Sequence, residues 1–146
     1  MKEDNMKRKK VKLILILGLL LSVSGVFSSI PASASNDDWG FGFTIQANQA
    51  NSRSSARYRE TTKTNNQWKV NMQKSGEGGG TITRYWLEVP NGTNVSTSKN
   101  VKQGGGAYYT NAYSDASKKN VHLTAENNNY NRATYRVSGY WDEETN

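Results

Sequence analysis

Several stretches of this chain alternate apolar and polar residues with a period of two, and none sustains the period of about 3.6 that a helix requires. "WGFGFTIQA" sets Trp39, Phe41, Phe43, Ile45 and Ala47 on one face and Gly40, Gly42, Thr44 and Gln46 on the other. "WKVNMQK" points Trp68, Val70 and Met72 inward and Lys69, Asn71 and Gln73 to water. "NVHLTAE" buries Val121, Leu123 and Ala125, and "TYRVSGYW" buries Tyr135, Val137 and Trp141. "TITRYWLEV" is extended because it is rich in β-branched and aromatic residues. "ARYRETTK" is polar on both faces and reads as a charged edge strand, a guard against edge-to-edge pairing. Short strands divided by Gly, Asn and Ser predict an all-β domain, an antiparallel β-sandwich or small barrel.

Two glycine runs, "GEGGG" (Gly76–Gly80) and "GGG" (Gly104–Gly106), invite comparison with phosphate-binding loops. Such loops lead into a helix N-terminus, whose free N–H groups meet the anion. Here the first run leads into a strand, and the second into tyrosines and the polar turn "TNAYSDASKKN". Both are expected to be turns.

The N-terminus reads as a secretory signal peptide. "MKRKKVK" is its basic segment, "LILILGLLLSVSGVF" its apolar core, and "PASAS" supplies the small residues before cleavage after Ala34. The apolar run is shorter than the ~20 residues of a membrane span. Met6 offers an alternative start to Met1, since it drops the acids Glu3 and Asp4. The expectation is residues 1–34 as signal peptide and 35–146 as one secreted domain. With no cysteine there is no thiol for a lipid anchor and no disulfide, so packing must hold the fold. The ending "DEETN" carries no wall-sorting pattern, so an extracellular, soluble protein is expected.

Cleavage also changes the charge argument. Six of the 19 Lys and Arg and two of the 12 acids lie in residues 1–34, leaving 13 against 10 and a net charge of +3 in place of +7. The basic composition that suggests nucleic acid belongs largely to the signal. A residual positive charge favours anionic cell-wall polymers weakly.

Candidates for chemistry are few. His122, the single histidine, falls on the polar face of its strand with no orienting partner nearby, and is expected to be solvated. The acids gather at Asp37-Asp38 and at Asp142-Glu143-Glu144, where solvated tails are expected. Were the first and last strands neighbours, these clusters could meet in a calcium site. One histidine and no cysteine leave transition metals without ligands, so no metal, cofactor or catalytic set is expected.

The aromatics are the strongest functional signal. Four Trp and eight Tyr exceed what one small core usually holds. In the pairs Tyr85-Trp86, Tyr108-Tyr109 and Tyr140-Trp141, the two members cannot share a sheet face. Outward Tyr and Trp can form a platform for sugar rings or a partner protein; cross-strand pairing that only stabilises the sheet is the competing role. The candidate binding residues are Tyr85, Trp86, Tyr108, Tyr109, Tyr113 and Tyr140.

The segments "NNQWKVNMQKSGEGGGTITRYWL", "VKQGGGAYYTNAYSDAS", "AENNNY" and "VSGYWDEET" together resemble a family of small secreted proteins of Gram-positive bacteria known only as a domain of unknown function. The resemblance spans nearly all of residues 35–146 and carries no catalytic residues with it. "NAYSDASKKNVHLTAENNN" is similar, more weakly, to β-sandwich bacteriocins of the lactococcin type, although their additional histidines are missing here. The expected function is non-enzymatic binding to a cell-wall polymer or another extracellular protein. A bacteriocin-like effector is the first alternative and a carboxylate-dependent wall hydrolase the second.

Overall fold

The computed structural model describes residues 36–146; the stretch read as a signal peptide, with its cleavage site, lies outside them. Nine strands follow in order: β1 Trp39–Ile45, β2 Ser52–Arg53, β3 Arg57–Arg59, β4 Trp68–Ser75, β5 Ile82–Glu88, β6 Lys99–Lys102, β7 Tyr108–Thr110, β8 Lys119–Asn127 and β9 Tyr135–Asp142. They form two antiparallel sheets, one ordered β1-β9-β4-β7 and the other β2-β8-β5-β6, with β3 continuing beside β2 along β8. The sheets do not close into a barrel, so of the two expected architectures the chain adopts the sandwich.

The alternation sets the inner faces. Phe41, Ile45, Trp68, Val70, Met72, Tyr135, Val137 and Trp141 of the four-stranded sheet meet Tyr85, Leu87, Val101, Val121, Leu123 and Ala125 of the five-stranded one, all buried. Each large apolar side chain removed from water in this way contributes about 1.5–3 kcal/mol. The Thr83 and Tyr135 hydroxyls, 3.0 Å apart, bond across the core from one sheet to the other.

Three local expectations are corrected. β1 ends at Ile45, and Ala47–Gln49 form a short 3-10 turn with Asn48 at positive φ, so the alternation stops before Ala47. The "ARYRETTK" strand shrinks to Arg57–Arg59, and Arg59 is buried at its end. Lys69, expected in water, does lie on the outer face of β4, yet neighbouring groups cover it to 4 % exposure.

The glycines are turns. Gly104 and Gly106 take φ of +71° and +84°, the left-handed region that favours glycine. A Cβ at Gly105 would stand 2.7 Å from the Tyr108 hydroxyl. The turn carries the chain from β6 in one sheet to β7 in the other. Gln103 N donates to Thr81 O beside the first sheet, and Gly104 N donates to Met72 O in the second. Between Met72 and Lys74 the β4–β9 register shifts by a bulge, and Gly139 lies opposite.

Candidate functional site

The outer face of the four-stranded sheet collects the most distinctive side chains. Register places Gly40, Tyr140 and Asn71 side by side in one row, and Asp142, Lys69 and Tyr109 in the next. These are the residues between the inward Trp68, Val70 and Trp141, so the same period of two that builds the core presents them outward. Tyr109 is 49 % exposed and Tyr140 half-buried. Asn71 Nδ2 donates to the Tyr140 hydroxyl at 3.0 Å, which fixes the ring's tilt. Beside Tyr140, nothing lies within 4 Å of where a Cβ on Gly40 would stand, so the sheet surface there is open.

Lys69 sits between the two tyrosines. Its ammonium lies 2.8 Å from Asp38 Oδ1, donates to Asn36 Oδ1 and stands 5.8 Å from the Tyr140 ring centroid. Burial pulls its pKa down, but the hydrogen bond and charge of Asp38 outweigh that and leave it raised. The lysine is therefore a fixed cation within an aromatic surface.

The C-terminal acids are not a solvated tail, whereas Asp38 is exposed as expected. Because β1 and β9 are neighbours, Asp37 and Asp38 meet the Asp142–Glu144 segment, and all three residues of that segment are buried. Asp142 Oδ1 accepts from Glu144 N at 3.2 Å while Oδ2 has no hydrogen-bond partner among the described residues; burial pushes its pKa up to about 7. Glu144 accepts from the backbone N–H of Glu60 and Thr61. The proximity a calcium site would need is thus present, but no group of three or more His, Asp or Glu among the described residues is arranged to hold a metal ion.

Of the sequence-predicted residues, Tyr109 and Tyr140 come together on this face. Tyr108 turns inward and packs partly on the core, so that pair divides as expected. Tyr113 is 47 % exposed but lies on the connection after β7, beyond Ala112, which bridges to Ser96. Tyr85 is corrected: it is fully buried in the core and, among the described residues, its hydroxyl has no partner, so it has no surface for a ligand.

Trp86 points to the outer face of the other sheet but is only 5 % exposed. It borders a cavity of about 360 Å³ shared with Asn51, Arg84, Asn94 and Glu126. Its Nε1 donates to Glu88 Oε1 at 2.9 Å, and Glu88 also accepts from Asn51 Nδ2 (3.1 Å) and Arg53 Nε (2.6 Å). Arg84 pairs with Glu126 at 2.9 Å. Each carboxylate is already held by its own arginine. His122 is half-buried rather than solvated, with Nδ1 2.8 Å from the Ser54 carbonyl.

Sequence reasoning passed over Lys69, Asn71 and Gly40. Their outward parity was readable, but their mutual adjacency depends on strand order.

Fold and surface together define a two-sheet β-sandwich without α-helix among the described residues, with Tyr109 and Tyr140 displayed on one sheet face. The chain belongs to the family described as Protein of unknown function (DUF2712), which matches residues 28–145. No curated protein and no solved structure gives a significant match.

Proposed function

We propose that this chain is a secreted, non-enzymatic binding module that attaches at the bacterial cell envelope, to a wall polymer or another extracellular partner, through the outer face of its four-stranded sheet. The observation that carries this reading is the placement of Tyr109 and Tyr140 on one face, with Lys69 between them. Tyrosine rings offer apolar faces to the C–H surface of sugars and hydroxyls to their polar rims. Lys69 is covered and already paired with Asp38, so the two rings rather than its charge would carry the contact. The signal-like N-terminus supports delivery outside the cell.

The test uses mature protein beginning at Ser35, added to Gram-positive cells, scoring both sedimentation with the envelope and viable counts. Retention without killing, lost on replacing Tyr109 and Tyr140 by alanine, supports the proposal. Retention unchanged in that double variant overturns the role of this face. Killing of some strains would favour the bacteriocin-like reading, which rests on the likeness in residues 111–129. Turnover of wall polysaccharide abolished by one carboxylate-to-amide change would favour a hydrolase.

A further inference from the structure

A second surface lies along the sandwich edge, where β1 borders the row that holds Tyr140. β1 is the outermost strand of its sheet and, among the described residues, pairs only with β9. On its open side, the Ser52 hydroxyl and the Gln46 amide both donate to the Thr44 carbonyl. From Trp39 to Phe43 no backbone group is hydrogen-bonded outside the β9 ladder among the described residues. In an antiparallel pair, alternate residues turn N–H and C=O away from the partner, so this segment presents unpaired donors and acceptors.

Natural edge strands are usually guarded by lysine, proline or a bulge. "WGFGFTI" carries no such side chain, and its register against β9 is unbroken. Gly40 leaves the outer side of the edge open, while the Arg136 guanidinium lies 3.6 Å from where a Cβ on Gly42 would stand. Beside it the two sheets, tied together at Thr44 and Ser52, leave a cavity of about 240 Å³. Gly42 and Phe43 line one wall; Ser54, Ser55 and Arg57 line the other. The Arg57 guanidinium is stacked 3.7 Å over the Trp39 ring and forms no direct ion pair among the described residues, although Glu143 feels its charge. The second arginine of that wall, Arg53, is already engaged by Glu88.

We infer that this edge accepts an extended peptide segment of a partner protein, which adds as a fifth strand beside β1 and directs an acidic side chain at Arg57. Backbone pairing along β1 supplies affinity that is indifferent to sequence, and the carboxylate–guanidinium contact supplies selectivity. A second copy is the poorer occupant, because Trp39–Ile45 has no carboxylate to bring to Arg57. The open segment of five residues matches a peptide of similar length at about 3.3 Å per residue.

The experiment titrates isotope-labelled mature protein with the capped peptide Thr-Val-Glu-Val-Thr, its Gln counterpart, and a version N-methylated on its backbone. The expected result is that the Glu peptide shifts the amide resonances of residues 39–43 and slows their hydrogen exchange. Binding should weaken about fivefold or more with the Gln peptide, and likewise with Arg57→Gln measured at a temperature where that variant is fully folded. N-methylation should abolish it, and it alters no residue of the protein. The inference is overturned by absence of shifts at millimolar peptide, or by equal binding of the N-methylated peptide. Protection of β1 amides that rises with protein concentration before peptide is added also overturns it, since a second copy would then hold the edge.

Discussion

Arg59, 1 % exposed, donates its guanidinium hydrogens to the main-chain carbonyl of Glu143, joining β3 to the segment that follows β9. The same group donates to the carbonyls of Asn66 and Lys63, so one cation holds together the 60–66 loop and the chain's acidic end. Burial lowers its pKa, while the nearby charges of Glu144, Glu143 and Asp142 oppose that. Arg59→Met should cost about 3 kcal/mol, because it leaves buried carbonyls unpaired and carboxylates uncompensated. Urea unfolding measures this; a loss below about 1 kcal/mol would contradict the docking role.

Asp142 gives stability a pH dependence with a definite sign. Burial raises its folded pKa to about 7 from an ordinary 3.8. Across that window the folded chain keeps a proton that the unfolded chain releases, so stability falls as pH rises from about 4 to about 7. Glu143, raised chiefly by burial, acts in the same direction. Asp142→Asn should flatten the dependence and raise the melting temperature above pH 7, where the parent must bury the charge. Melting curves of the two proteins across this range should converge toward the acid end; parallel curves would refute the assignment.

Gly139 should tolerate no side chain. A Cβ there would fall 1.9 Å from the Asn71 carbonyl oxygen, a backbone atom that cannot turn aside. Gly139→Ala is expected to cost more than about 3 kcal/mol or to prevent folding. Gly40→Ala meets nothing within 4 Å and serves as the mild control, read in the same denaturation experiment.

The tyrosine face separates binding from stability. Tyr109→Ala, at an exposed position, should change stability by no more than about 0.5 kcal/mol while reducing envelope retention several-fold. Tyr140→Phe keeps the ring and loses the Asn71 bond, so it should retain most of the binding. If both variants sediment like the parent, the tyrosines serve only the sheet.

Trp86→Phe tests the other face. The change removes the Nε1–H that Glu88 accepts while keeping aromatic bulk, and should cost about 1 kcal/mol. Envelope retention is expected to be unaffected, and a retention loss comparable to that of Tyr109→Ala would relocate the binding surface to this sheet.

What the sequence determined by itself was everything that follows from a period of two. Trp68, Val70 and Met72, then Val121, Leu123 and Ala125, then Tyr135, Val137 and Trp141 all face the core as their alternation requires. The fate of Tyr85 was readable by the same rule, since Thr83, Tyr85 and Leu87 form the uncharged set of β5 and Arg84 and Glu88 mark the outward one. The tertiary structure alone decided which strands are neighbours. That placed β1 against β9, brought the two acidic ends together, and set Lys69 between Tyr109 and Tyr140. It also buried Arg59, Lys69 and Asp142, which local sequence reads as solvated. Alternation says which way a side chain points, but the burial of a charge depends on what distant segment covers it and which opposite charge arrives with that segment.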